Sequence, residues 1–396
     1  MSPKSSSPSS AYPTCAQVGS PREPEGAVYI ADPLCGWAGP SEEDTHSLAT
    51  DFNTSQPVHT ITEAGGRLTF TRHPSSFAQE PFAQSVLADL SAGQKRLSCS
   101  WFYDDRGSEL FEQICDVPEY YLTRTERMIL QAHAGDIASL FPAPVTLVEL
   151  GSGSSIKTRL LIHAFHERQP SLVYYPIDIS GEILRQSSAD LLDQFPRLSV
   201  RAFASDYLAG LEAIEGETAS PRLIVFLGST IGNFDARDAE QFLSRIRQVM
   251  APDDRLLLGF DLKKDPALIE AAYNDAAGVT AAFNKNLLHR INRELDGQFD
   301  PDAFDHHAPY QPESGRVEMR LVSRREQTIS IGLLNRTFSF GEGEFIHTES
   351  CHKYSEPEMA RLLSGAGLSV DHTWNDDRGW FAVSLLRPAG PVDPAG

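Results

Sequence analysis

Five short apolar, β-rich runs spaced by helical patterns occupy the middle of this 396-residue chain, and they constrain the fold more than any other feature. They are VTLVEL (145–150), VYYPIDI (173–179), LSVRAFA (198–204), RLIVFLGS (222–229) and RLLLGFDL (255–262). Candidate helices lie near 156–168, 181–193 and 237–250, the last with Asp238 and Glu240 early in it, where carboxylates suit a helix N-terminus. Near-continuous apolar strands alternating with helices of this length require a parallel sheet covered on both faces. The expected class is α/β, a doubly wound sheet. After about residue 263 the pattern changes to one long helical stretch (271–295) and then to alternating segments at 316–324, 327–333 and 336–342. These predict an α+β second domain. WFAVSLLR (380–387) predicts a strand returning to the first sheet.

Both ends differ from this middle. Eight prolines, only two basic residues and a serine-rich start mark the first 60 residues. Such chain buries too little apolar surface to offset its ordering entropy. Residues 1–65 are therefore expected to be a disordered extension, with AVYIADPLCGW (27–37) its only apolar patch, and 388–396 a tail. No run is long enough to span a bilayer, and the first twenty residues lack the apolar core of a secretory signal. A formal net charge of -20 disfavours nucleic acid and anionic lipid as partners. The five cysteines are far apart, with no Cys-x-x-Cys pair, which favours a reducing cytoplasm over a disulfide or zinc framework. His306 and His307 are adjacent rather than at ligand spacing, so no metal site is expected. A monomer acting on a small molecule is the expectation.

The most specific local signal is LVELGSGSSIKTRLL, where an apolar strand ends at Leu150, Gly151 and Gly153 make a tight turn, and a helix follows. Such a turn lets backbone approach a bound cofactor beside the unpaired N–H groups of a helix N-terminus. Ile156 stands where a P-loop needs glycine before Lys157, and also where a dinucleotide fold carries its third glycine. The remaining readings are an E-x-G-x-G turn of the S-adenosylmethionine-dependent methyltransferase type or an ordinary strand-to-helix turn. Asp178 ends the second strand, placed to accept ribose hydroxyls or merely to cap a helix. Asp206 follows the third strand, facing an adenine or capping the next helix. Asn233, in FLGSTIGN after the fourth strand, offers a donor and an acceptor to a substrate or serves a loop turn.

Together WFYDDRGSELFEQICDVPEYYLTRTE (101–126), ELGSGSSIKTRLL (149–161), FLGSTIGNFD (226–235), AAYNDAAGVTAAFNKNLL (271–288) and FDPDAF (299–304) closely resemble the ergothioneine-pathway histidine Nα-methyltransferases. The resemblance runs from about 95 to 387. It implies a Rossmann-like S-adenosylmethionine methyltransferase domain (124–262 plus 353–387) and a substrate-binding domain (76–123 plus 263–352). By resemblance Gly151, Lys157, Asp178, Asp206 and Tyr207 contact S-adenosylmethionine, and Tyr103 lies at the reaction centre. Tyr120, Asn233, Tyr273 and Glu349 match amino-acid-binding positions: Asn233 and Tyr273 for the α-carboxylate and amine, Glu349 for the imidazole.

One departure bears on specificity. The family pattern at the imidazole site is Glu-x-Ser, whereas this chain has Glu349-Ser350-Cys351, and a thiol is a weaker hydrogen-bonding group than a hydroxyl. Ser350 cannot substitute without a one-residue slip that would reverse its direction. The implied activity is transfer of methyl groups to the α-amine of L-histidine, to the trimethylated betaine, with no metal. The alternatives are methylation of another amino acid such as tryptophan, or a protein that binds S-adenosylmethionine without chemistry. Aromatic faces at Phe102 or Tyr103 are expected to stabilise the growing cation.

Overall fold

The computed structural model describes residues 59–72, 79–142, 144–214, 216 and 221–390. The apolar patch at 27–37 and the last six residues lie outside them. The chain begins with β1 (His59–Glu63), β2 (Leu68–Arg72), α1 (Gln79–Ser91), α2 (Asp105–Asp116) and α3 (Tyr121–Ser139). Next come β3 (Thr146–Leu150), α4 (Thr158–Arg168), β4 (Leu172–Asp178), α5 (Gly181–Gln194), β5 (Leu198–Ala204) and α6 (Tyr207–Ala213). β6 (Arg222–Phe226), α7 (Ala236–Val249) and β7 (Arg255–Asp261) complete the alternation, followed by α8 (Pro266–Tyr273) and α9 (Val279–Leu295). The later strands are β8 (Phe304–His307), β9 (Tyr310–Gln311), β10 (Arg316–Ser323), β11 (Gln327–Ile331), β12 (Arg336–Phe340) and β13 (Phe345–His352). α10 (Glu356–Gly365), β14 (Leu368–Asn375) and β15 (Phe381–Pro388) end the described chain.

All five expected strands lie in one nine-stranded sheet of order β1-β2-β5-β4-β3-β6-β7-β15-β14. From β2 to β7 the neighbours are parallel, and β15 returns antiparallel against β7, as its sequence predicted. Alternate residues feed two cores. Leu147 packs with Leu161, Ile162 and Phe165 of α4 on one face, while Val148 and Leu150 pack with Phe242, Leu243 and Ile246 of α7 on the other. The chain runs outward from β3 through β4 to β5, then returns to β6 on the opposite side of β3. This reversal opens a crevice at the carboxyl ends of β3 and β6, where ligands of doubly wound sheets bind. A smaller antiparallel sheet, β13-β10-β8 with β9 beside β10, and the β11–β12 hairpin follow it in sequence.

Two expectations are corrected. Residues 59–63, assigned by composition to the extension, form β1, which pairs antiparallel with β2, and β2 lies parallel to β5. Short Thr-rich strands carry too few apolar residues to stand out in so polar a segment. The single helix expected over 271–295 is two. Asp275 breaks it: its carboxylate accepts the backbone N–H groups of Val279 and Thr280, both at 2.8 Å, and so starts α9 afresh. The break leaves Tyr273 at the end of one helix and Phe283 near the start of the next.

The roots of β6 and β7 are clamped by a buried ion pair. Asp254 accepts the backbone N–H of Arg222 at 2.7 Å and its guanidinium at 2.6 and 2.9 Å. The guanidinium and backbone donors outweigh burial and hold the Asp254 carboxyl below its usual range. Truncation leaves the guanidinium uncompensated, so Asp254→Ala is expected to cost about 3–5 kcal/mol, read as a lower urea midpoint. A change under about 1 kcal/mol would contradict the clamp.

Candidate active site

The crevice holds a large chamber of about 310 Å³ lined by the Gly151–Lys157 turn, Asp178, Tyr207 and the start of the β6 exit loop. Gly151 has φ +75°, and a Cβ there would sit 3.1 Å from the Tyr207 hydroxyl, so the turn is pressed against that ring. Asp178 accepts the N–H of Gly153 at 2.7 Å and of Ser180 at 2.8 Å. A carboxylate offers about four acceptor positions, so capacity remains for ligand hydroxyls. Burial raises the Asp178 pKa despite these backbone donors. Ser152, which lines the chamber, has a buried hydroxyl with no partner. Glu126, from α3, accepts Lys157 at 2.5 Å and the Gly228 N–H at 2.9 Å, tying the turn to the β6 exit loop.

A smaller chamber opens from the first and shares Tyr103, Phe111, Tyr120, Gly228, Thr230 and Asn233 with it. Tyr273, Glu349 and Cys351 line it but not the first. Asn233 arrives by a tight route: Ser229 takes a left-handed backbone (φ +59°) and starts a 3-10 turn over Thr230–Asn233. At Gly232 the loop touches β13, where a Cβ would fall 2.6 Å from the His352 carbonyl oxygen. That contact lets the Asn233 amide donate to Glu349 Oε1 at 2.8 Å. Glu349 and Cys351 are two apart on β13 and share a face, whereas Ser350 is bonded to His347 at 3.0 Å, away from the chamber. Tyr273 donates to Cys351 Sγ at 2.8 Å. His306 uses its two ring nitrogens on Asn284 and the Tyr273 carbonyl, which fixes the end of α8.

The walls are aromatic. Tyr103 packs edge-on against Phe111 and Phe283 with ring centres 5.7 and 5.8 Å apart, and Tyr120 against Tyr273 at 6.1 Å. Asp104 sets this spacing: it caps α2 and also accepts Asn286 of α9 at 2.7 Å.

Ten of the eleven residues singled out in the sequence line one chamber or the other: Gly151, Lys157, Asp178, Tyr207, Tyr103, Tyr120, Asn233, Tyr273, Glu349 and Cys351. Asp206 does not. Its carboxylate caps α6 by accepting the Ala209 N–H at 2.9 Å, the alternative its position left open. Phe102 lines neither chamber: it is fully buried behind Phe283, ring centres 4.4 Å apart, whereas Phe111 and Phe283 line the smaller one. Sequence reasoning passed over Glu126, Phe111, Phe283 and Lys353, and no local pattern marks them. Glu149, visible as the first letter of E-x-G-x-G, accepts Thr158 and Tyr174 beneath the turn. Among the described residues no group of three or more potential metal ligands is found. No helix among them is long and apolar enough to cross a membrane.

A doubly wound sheet with an antiparallel return strand and a glycine turn facing a strand-end carboxylate is a Rossmann-like architecture, and the family match reported next makes it that of an S-adenosylmethionine-dependent methyltransferase. Comparison with known proteins narrows this. Residues 82–388 match the family described as "Histidine-specific methyltransferase, SAM-dependent". The chain is 41% identical over 308 residues to the histidine N-alpha-methyltransferase of Mycolicibacterium smegmatis, covering 78% of this chain and 95% of that one. It is 33% identical to ergothioneine biosynthesis protein 1 of Neurospora crassa (71% and 32% covered), and 28% identical to an L-tryptophan methyltransferase of Psilocybe serbica (76% and 90% covered). This chain belongs to the histidine-specific, S-adenosylmethionine-dependent methyltransferase family.

Burial pushes the Glu349 pKa up to about 7, against the lowering effects of Lys353 and Asn233. A carboxyl whose folded pKa is raised favours folding fully below its unfolded pKa, and that contribution disappears as pH rises through the folded value. Glu349→Gln should therefore gain stability relative to the parent between about pH 4.5 and 7, by up to roughly 3 kcal/mol. Denaturant titrations of both proteins at several pH values measure it, and a pH-independent difference would contradict the assignment.

Proposed function

We propose that this protein methylates the α-amino group of L-histidine, carrying it to the trimethylated betaine of ergothioneine biosynthesis. The observation that carries this reading is the convergence of Tyr120, Asn233, Tyr273 and Glu349 in one chamber, opening at Tyr103 onto the chamber of the glycine turn. The large chamber suits the methyl donor: Asp178 for ribose hydroxyls, the turn's backbone and the unpartnered Ser152 hydroxyl for polar contacts, Tyr207 as a wall, and Lys157 as a cation at its edge. When bound, S-adenosylmethionine supplies a methyl group already activated on a sulfonium, and the reading requires no metal.

The remaining work falls to the protein. An ammonium has no lone pair, so the acceptor amine must sit neutral where Tyr103, Asn233 and Thr230 border both chambers. Orientation in a site shielded from water supplies the larger part of the rate. Tyr103 and Tyr120 are buried hydroxyls whose pKa values burial raises, so they act as hydrogen-bonding groups rather than bases. Glu349 accepts an imidazole N–H in exchange for the Asn233 amide, freeing that amide for the substrate's other end. The faces of Phe111, Phe283 and Tyr103 suit a quaternary ammonium.

We assign 76–123 and 263–352 to acceptor binding, and 124–262 with 353–387 to donor binding. Both chambers draw on both sets, which supports a reaction at their boundary. The same reading has the chain act as a cytoplasmic monomer on a small molecule, and the net charge of -20 suits it.

Incubation with S-adenosylmethionine and each of the twenty amino acids, followed by mass spectrometry, tests the reading. Trimethylated L-histidine with S-adenosylhomocysteine is expected. Turnover of tryptophan but not histidine, or none at all, would overturn it. Tyr103→Leu should slow the later methylations most, so that mono- and dimethylated products accumulate; equal slowing of every step would contradict its role toward the cation.

A further inference from the structure

Beneath the acceptor chamber lies a charged cluster that the reaction as described does not use. The Lys353 side chain is wholly buried, and each of its three ammonium protons has an acceptor: Tyr273 Oη at 2.8 Å, Cys351 Sγ at 3.2 Å and Asp261 at 3.0 Å. Asp261 also accepts Tyr121 at 2.6 Å and Lys264 at 2.5 Å. Two ammonium groups thus share the Asp261 carboxylate where water is excluded, and Glu349 and Asp376 are the other carboxyl groups that interact with them. No lysine or arginine lines the acceptor chamber itself, so nothing else cationic meets a ligand there.

We propose that Lys353 is a positioning residue that makes this chamber selective for acceptors bearing a carboxylate, by holding the Tyr273 hydroxyl as a donor toward the ligand. The inference rests on the reading of the chamber as an amino-acid site. An ammonium can only donate, so the Tyr273 oxygen accepts from Lys353 and its single proton is turned away from that ammonium. That proton now meets the Cys351 sulfur, a weak acceptor; a ligand carboxylate is a stronger one and takes it by exchange. Lys353 polarises the same O–H and so strengthens its donation. An amine lacking the carboxylate gains neither term. Glu349, two residues or ~7 Å along β13 from Cys351, offers an acceptor on the same face. The chamber thus carries a donor suited to an anion and an acceptor suited to an N–H.

The test is calorimetric titration of the full chain, saturated with S-adenosylhomocysteine, with L-histidine and with histamine, which lacks only the carboxylate. Histidine should bind the parent roughly 10- to 100-fold tighter than histamine. In Lys353→Met most of that ratio should vanish through weaker histidine binding, with histamine changed less than about threefold. Parallel weakening of both ligands, or an unchanged ratio, would overturn the proposal and leave Lys353 a structural residue. If Lys353→Met does not fold, Lys353→Gln keeps a donor to Tyr273 without the charge; it should lose part of the ratio, and no loss would overturn the proposal. Because Lys353 acts through Tyr273, the ratio in Lys353→Met/Tyr273→Phe should match that in Tyr273→Phe alone, and additive losses would contradict this route. A parent protein that binds neither ligand would sink the amino-acid reading itself, a result distinct from a lost preference.

Discussion

The hydrogen bond between Asn233 and Glu349 is where the two halves of this molecule become one site. Asn233 belongs to the exit loop of a parallel strand, Glu349 to an antiparallel sheet more than a hundred residues later. Their meeting depends on Gly232, the only residue type that allows the loop to lie against the His352 carbonyl. Through that contact the chamber shaped by the strand ends and the glycine turn adjoins the smaller chamber, which shares Tyr103, Thr230 and Asn233 with it. Separate the two sheets and both chambers lose part of their walls.

Burial sets the chemistry on both sides. Glu149 and Glu349, both buried, are pushed up to about 7 by loss of water, while each keeps neutral donors that offset part of the penalty. Glu126 shows the contrasting solution: its carboxylate is wholly enclosed, yet it meets a lysine and a backbone N–H, and it joins the donor turn to the loop that presents Asn233. Lys353 and Asp261 repeat that device under the acceptor chamber. Buried ion pairs thus fix the turn, the β6 exit loop and the end of β13 before any ligand arrives. Such preorganisation is what catalysis by orientation requires.

Much of the donor side was legible in the sequence because its physics is local. A strand that must be buried on both faces is an apolar run, a turn that must admit a cofactor has glycines, and Asp178 falls at a strand end. The acceptor side was legible only through resemblance. Tyr120, Tyr273 and Glu349 read alone as core aromatics and a strand charge, and only tertiary structure brings them together. What the sequence left open follows the same logic. Asp206 and Asp275 are both short carboxylates before a helix, and each bonds to nearby backbone, which no local pattern announces. Phe102 and Phe111 are both apolar, and which one faces the chamber depends on how α2 docks on α9. Lys353 carries no local mark, since a buried lysine is recognisable only by its partners.

The most direct measurement is a crystal structure of the protein with S-adenosylhomocysteine and L-histidine bound together. The account predicts an imidazole nitrogen within hydrogen-bonding distance of the Glu349 carboxylate, and the α-nitrogen at the opening bordered by Tyr103, Thr230 and Asn233, facing the donor sulfur. Histidine seated elsewhere, or bound with its ring toward the donor chamber and the Asn233–Glu349 bond intact, would contradict it.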